Sequence, residues 1–71
     1  MTRFLRYAVE HGRKIRAVFL LDGAMVQKTV SVVRYDESTV SLCIGARKTS
    51  VVIPLADVFS CDYARGDHGE E

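Results

Sequence analysis

The spacing of apolar residues changes once along this chain, at Gly12, and that change constrains the fold more than any other feature. Before it, Phe4, Leu5, Ala8 and Val9 fall at i, i+1, i+4 and i+5, one stripe along a helix. After it, Ile15, Ala17, Phe19 and Leu21 alternate with Arg16, Val18 and Leu20, the two-residue period of a strand. The first spacing predicts a helix over about Thr2 to His11. The Thr2 hydroxyl caps it, and Gly12 stands where the helix end needs a residue at positive φ. About three turns is too short to be stable alone, so the helix must dock on the rest of the chain.

From Ile15 to Tyr63 the chain reads as strands and turns. Asp22-Gly23 closes a hairpin, because a tight two-residue turn needs positive φ at both positions. A long strand runs from about Met25 to Arg34. Val26, Val30 and Val32 lie on one face, interrupted by Lys28, with Gln27, Thr29 and Ser31 on the other. A strand this long in a small sheet must bend, and bending lets a sheet close on itself. Tyr35-Asp36-Glu37-Ser38 is a polar turn, and Val40, Leu42 and Ile44 alternate with Ser41 and Cys43 as a half-buried strand. Gly45-Ala46-Arg47-Lys48 turns again. Thr49 to Ile53 is a short strand whose consecutive Val51, Val52 and Ile53 suggest two covered faces. Pro54, with no N–H, is expected to stop its ladder. Leu55-Ala56-Asp57 makes one helical turn, and Val58 to Tyr63 is the last strand, with Phe59, Cys61 and Tyr63 on one side.

The expected architecture is therefore mainly β: an N-terminal helix followed by a bent five-stranded antiparallel barrel of SH3-like or Sm-like form. One domain covers 1–71, with the helix in 1–12, the barrel in 14–63 and a flexible polar tail in 64–71. The chain has 71 residues and is 48% apolar, too apolar for a disordered chain but short for a self-sufficient core. Its formal charge of +1 provides no global field toward nucleic acid or anionic lipid. No apolar run approaches the ~18 residues that cross a bilayer, and Met1 to Glu10 lack the apolar core of an export signal. A cytoplasmic protein with reduced thiols and no membrane partner is expected.

The order of parts resembles the Sm-like family, the small barrels of Sm and Lsm proteins and of the bacterial RNA chaperone Hfq. The likeness covers residues 3 to about 63. It rests on Phe4-Leu5 in the leading helix, Ile15 to Leu21 as first strand, Asp22-Gly23 at the first hairpin, Tyr35-Asp36 before Val40-Ser41-Leu42, and Ile53 to Val58 in place of the second Sm motif. It implies self-association, with the fourth strand of one subunit beside the fifth of the next, and single-stranded RNA as ligand. The chain departs from the family where that family reads RNA. Lys28 stands near the usual bend glycine, no Asn follows Asp36, and Pro54-Leu55 replaces the Lys-His pair of Hfq. Arg65-Gly66 lies beyond the fifth strand, outside the eukaryotic motif position. A weaker similarity joins Leu5 to Arg16 and Gln27 to Val30 to WYL domains, without the Trp-Tyr-Leu triplet.

Candidate nucleic-acid contacts are Arg13, Lys14 and Arg16, the densest basic cluster, with Tyr35 as a stacking ring and Arg47-Lys48 in a loop. Each has a plainer role: cations complement a helix C-terminus, solvate an edge or solvate a turn, and a tyrosine packs. Candidate oligomer-edge residues are Val51, Val52, Ile53, Phe59 and Cys61. Cys43 and Cys61 lie 18 residues apart with no CxxC and no His at ligand spacing, so they read as inert thiols rather than zinc ligands. His11 and His68 have no neighbour in sequence that would make either a general base, and no nucleophile triad or phosphate loop is present. No enzyme activity, metal or cofactor is expected. The function expected first is an oligomeric RNA-binding module. The alternative is a protein-interaction or regulatory module with no nucleic-acid contact, marked by acidic groups at Asp57, Asp62, Asp67, Glu70 and Glu71. A WYL-like small-molecule sensor ranks third, since so short a chain leaves little room for a pocket.

Overall fold

A computed structural model describes residues 2–67. The helix α1 spans Thr2–His11, and the strands are β1 (Ile15–Leu21), β2 (Ala24–Tyr35), β3 (Thr39–Ile44), β4 (Val51–Pro54) and β5 (Val58–Tyr63), with a 3-10 turn at Leu55–Asp57. All five strands form one antiparallel sheet in the order β4-β3-β2-β1-β5. The expected mainly β fold with a leading helix is the one the chain adopts. Asp22-Gly23 closes the first hairpin with positive φ at both residues, 51° and 81°.

The sheet is not closed into a barrel. β4 and β5 are its two edges and share no ladder among the described residues. The cause lies in the three-residue connection between them. The Leu55 N–H donates to the Ser38 carbonyl at 2.8 Å, so the chain turns across the end of β3 instead of folding back along β4. β5 then pairs with β1, over Ile15 to Phe19. The ladder of β4 ends at Pro54, as expected. Pro54 is the last residue of β4, opposite Thr39, an edge position at which a missing N–H costs no pairing.

The core lies between one face of the sheet and α1. Ile15, Ala17 and Phe19 from β1, Val30 and Val32 from β2, Val40 and Leu42 from β3, Ile53 and Val58 are buried. Leu5, Tyr7 and Ala8 are buried from the helix side, where α1 packs on β2 and β5. The buried stripe of α1 therefore passes through Tyr7 rather than Val9, which is exposed. The helix is turned so that the Tyr7 ring meets Tyr63 edge-on at 5.3 Å.

Two irregularities reset which face the strands present. One lies between Val32 and Arg34 where β2 pairs with β3, and leaves Val33 exposed. The other lies between β1 and β5, where Val18 opposes Ser60 but Phe19 opposes Val58. Phe59 is the extra residue there. Val58 takes the core position and Phe59 is half exposed, which corrects the expected single face of Phe59, Cys61 and Tyr63.

Candidate functional site

The free edges carry the first set of candidate residues. In β4 the chain alternates: Val51 packs against the core, Val52 is 61% exposed, and Ile53 is buried opposite Val40. The expectation that both faces of this strand are covered fails, because nothing lies over the outer side of Val52. At the other edge Phe59 is 50% exposed while Cys61, level with Ala17, packs against the core. Of the five edge candidates, Val52 and Phe59 thus present apolar surface outward, and Val51, Ile53 and Cys61 belong to the inner face. Burial pushes the Cys61 thiol above its ordinary pKa, so it is a poor nucleophile. Both cysteines are free.

The densest basic cluster is dispersed and partly neutralised. Arg13 reaches the Asp67 carboxylate at 3.4 Å, and Arg16 reaches Asp62 at 3.5 Å while its Nε donates to the Tyr63 carbonyl at 3.1 Å. Lys14 turns its ammonium to the Gly45 carbonyl at 3.4 Å. Each member of the cluster thus has a partner within the chain, while the Arg13 and Arg16 side chains stay 53% and 42% exposed. These contacts also interrupt the expected acidic surface, since Asp62 and Asp67 are both paired. Glu70, Glu71 and His68 lie outside the described residues, as does the last part of the expected flexible tail. Its described part, Ala64 to Asp67, is a turn closed by Asp67 N–H to the Ala64 carbonyl at 2.9 Å.

Arg47 and Lys48 remain exposed in the β3–β4 loop, and their side chains form no ion pair among the described residues. Tyr35 packs against the core opposite Val40, so its ring is half covered and is not a free stacking platform. The neighbouring Asp36 has a local task. Its Oδ1 accepts from the Ser38 and Thr39 N–H groups, each at 2.8 Å, and these bonds hold its carboxyl below the usual range.

Two arrangements are absent from the sequence-based expectations. Asp67 is buried at its side chain, accepting from the Tyr7 hydroxyl at 2.8 Å and from Arg13. Burial, then the Asp67 bond, pushes the Tyr7 phenol above its ordinary pKa. The second is a cleft of about 180 Å³ between α1 and the end of β5, lined by Arg3, Arg6, Tyr7, Glu10, His11 and Tyr63. The helical spacing of Arg3, Arg6 and Glu10 marks a polar face in sequence, but Tyr63 is 60 residues from Arg3, and only the fold brings them together.

Among the described residues no three His, Cys, Asp or Glu side chains gather as a metal site, and no helix is long and apolar enough to cross a membrane. No family model, no curated protein and no solved structure matches the chain.

Proposed function

We propose that this chain is a non-enzymatic, cytoplasmic, self-assembling module of Sm-like type, in which β4 of one copy pairs with β5 of the next. The observation that carries the reading is the pair of unlike free edges, each with an exposed apolar side chain, Val52 on β4 and Phe59 on β5. A free edge presents unpaired N–H and C=O groups and invites another strand. Charge is one of the devices by which monomeric proteins block such edges, and β4, short and ending in Pro54, has none in Val51–Pro54. Pairing between two different edges is head-to-tail, so it generates a closed ring or an open filament rather than a simple dimer. It would also supply the partner subunit that so small a core lacks.

Light scattering coupled to size exclusion tests this. A mass of several chains is expected, and a monomer at all concentrations would sink the assembly.

A second reading, single-stranded RNA binding, is favoured by Arg47 and Lys48, whose side chains no acid neutralises among the described residues and which lie next to the β4 edge. An assembly repeats this pair once per copy, and repetition converts a weak phosphate contact into avidity. Fluorescence anisotropy with a single-stranded RNA should show binding that weakens steeply with salt, and that weakens further in the Arg47→Gln, Lys48→Gln double variant. Salt-independent or undetectable binding at micromolar protein leaves the protein-interaction role in its place.

A further inference from the structure

We infer that the cleft between α1 and the end of β5 is a binding site for the sugar-phosphate part of a nucleotide, with the phosphate held between Arg3 and Arg6. The cleft holds about 180 Å³, room for a phosphate and a sugar but not for a folded partner segment. Arg3, Arg6 and Glu10 share one face of α1, because residues three, four and seven apart lie above one another.

Arg3 is already positioned. Its guanidinium lies over the Phe4 ring at 5.3 Å and donates to the Tyr63 hydroxyl at 3.5 Å. Tyr63 is fixed in turn, edge-on to Phe4 at 4.9 Å and to Tyr7 at 5.3 Å. Its hydroxyl accepts from Arg3 and keeps its own proton to donate into the cleft. Arg6 makes no ion pair among the described residues, not even with Glu10 one turn on. Two guanidinium groups and a phenol thus surround one end of the cleft, a donor set suited to a tetrahedral oxyanion. Helix stability does not call for Arg3 in the first turn. The first turn of α1 holds no acid, and cations near a helix N-terminus oppose its dipole.

Glu10 decides the orientation. It lies ~10 Å along the helix axis from Arg3. Its carboxylate repels a phosphate from that end and accepts from sugar hydroxyls instead. The site does not depend on edge pairing, since every lining residue comes from one copy. The phosphate has two sources, a free mononucleotide or one unit of a single strand.

The test is amide chemical-shift titration of the full chain with adenosine monophosphate, inorganic phosphate and a short oligoadenylate. Saturable shifts confined to α1 and the end of β5 are expected with the mononucleotide. Arg6→Gln should weaken binding about tenfold. Glu10→Gln should weaken the mononucleotide but not inorganic phosphate, and Arg47→Gln should change neither. Arg6 and Glu10 are exposed, so both variants should fold, which their spectra report directly. Oligoadenylate binding that also weakens in Arg6→Gln assigns the site to a strand, and mononucleotide binding alone assigns it to the free nucleotide. No saturable shift at millimolar mononucleotide, shifts mapped elsewhere, or shifts indifferent to Arg6→Gln overturn the inference. A Val52→Lys chain separates this result from assembly, because it should keep mononucleotide binding whatever its mass.

Discussion

Asp36 shows how much one side chain does in a fold this small. It ends β2 and starts the turn into β3 by accepting two backbone N–H bonds, a role open to Asp because its short carboxylate reaches back to the chain two and three residues on. Those bonds favour the charged form and lower its pKa. A carboxyl whose folded pKa is depressed stabilises the fold only while it is ionised. The contribution is complete above the unfolded-state value of about 3.9 and is lost as pH falls through the lower folded value. Asp36→Ala should therefore lower the thermal midpoint at neutral pH and shrink the further loss that wild type suffers on acidification. Melting curves at neutral and strongly acidic pH check both. Phe19, wholly buried, is the other decisive residue. Phe19→Ala should cost ~3–5 kcal/mol, near the whole stability of so small a domain, and leave the chain unfolded by circular dichroism.

Elements meet at the clasp between α1 and the C-terminal turn. The hydroxyl of Tyr7 and the guanidinium of Arg13 converge on Asp67, tying the helix to the chain that leaves β5. A short helix depends on such docking, since its own hydrogen bonds do not sustain it. Tyr7→Phe keeps the ring packing on Tyr63 and removes the hydroxyl, leaving Asp67 with fewer donors. Faster amide hydrogen exchange in α1, with β1 to β3 unchanged, is the expected result. Uniform exchange across the sheet would show that the clasp stabilises nothing local. The edge strands behave differently. Val52→Lys and Phe59→Lys place a charge at a free edge without touching the core, so, if the proposed edge pairing holds, each should lower the mass in solution while leaving the spectrum of the folded chain intact.

At the scale of the whole molecule, openness is the property that matters. Had β4 and β5 paired within one chain, no edge would remain for a further strand. The Leu55–Asp57 turn prevents this by sending β5 across to β1. Replacing that turn with a tight two-residue hairpin loop should let the edges meet within one chain and yield a smaller, monomeric species by light scattering. An unchanged mass would count against the proposed pairing of β4 with β5.

The one change of apolar period at Gly12 determined the helix and the first strand, because side-chain spacing and backbone geometry are the same information there. Asp22-Gly23 determined the first hairpin for an equally local reason, positive φ. The strand boundaries were nearly legible throughout, and so was the placing of Val52 and Phe59 on the edge strands. The irregularity in β5 was not. Whether Val58 or Phe59 enters the core depends on the register against β1, and alternation within β5 alone is silent about it. Nor was the fate of the basic cluster legible. Arg13 and Arg16 looked available in sequence, and only the fold brought Asp67 and Asp62 from the other end of the chain to meet them. Local spacing decided which elements form. Charge pairing and the Arg3–Tyr63 cleft were decided by residues 46 to 60 positions apart, and proximity of that kind exists only once the sheet has folded.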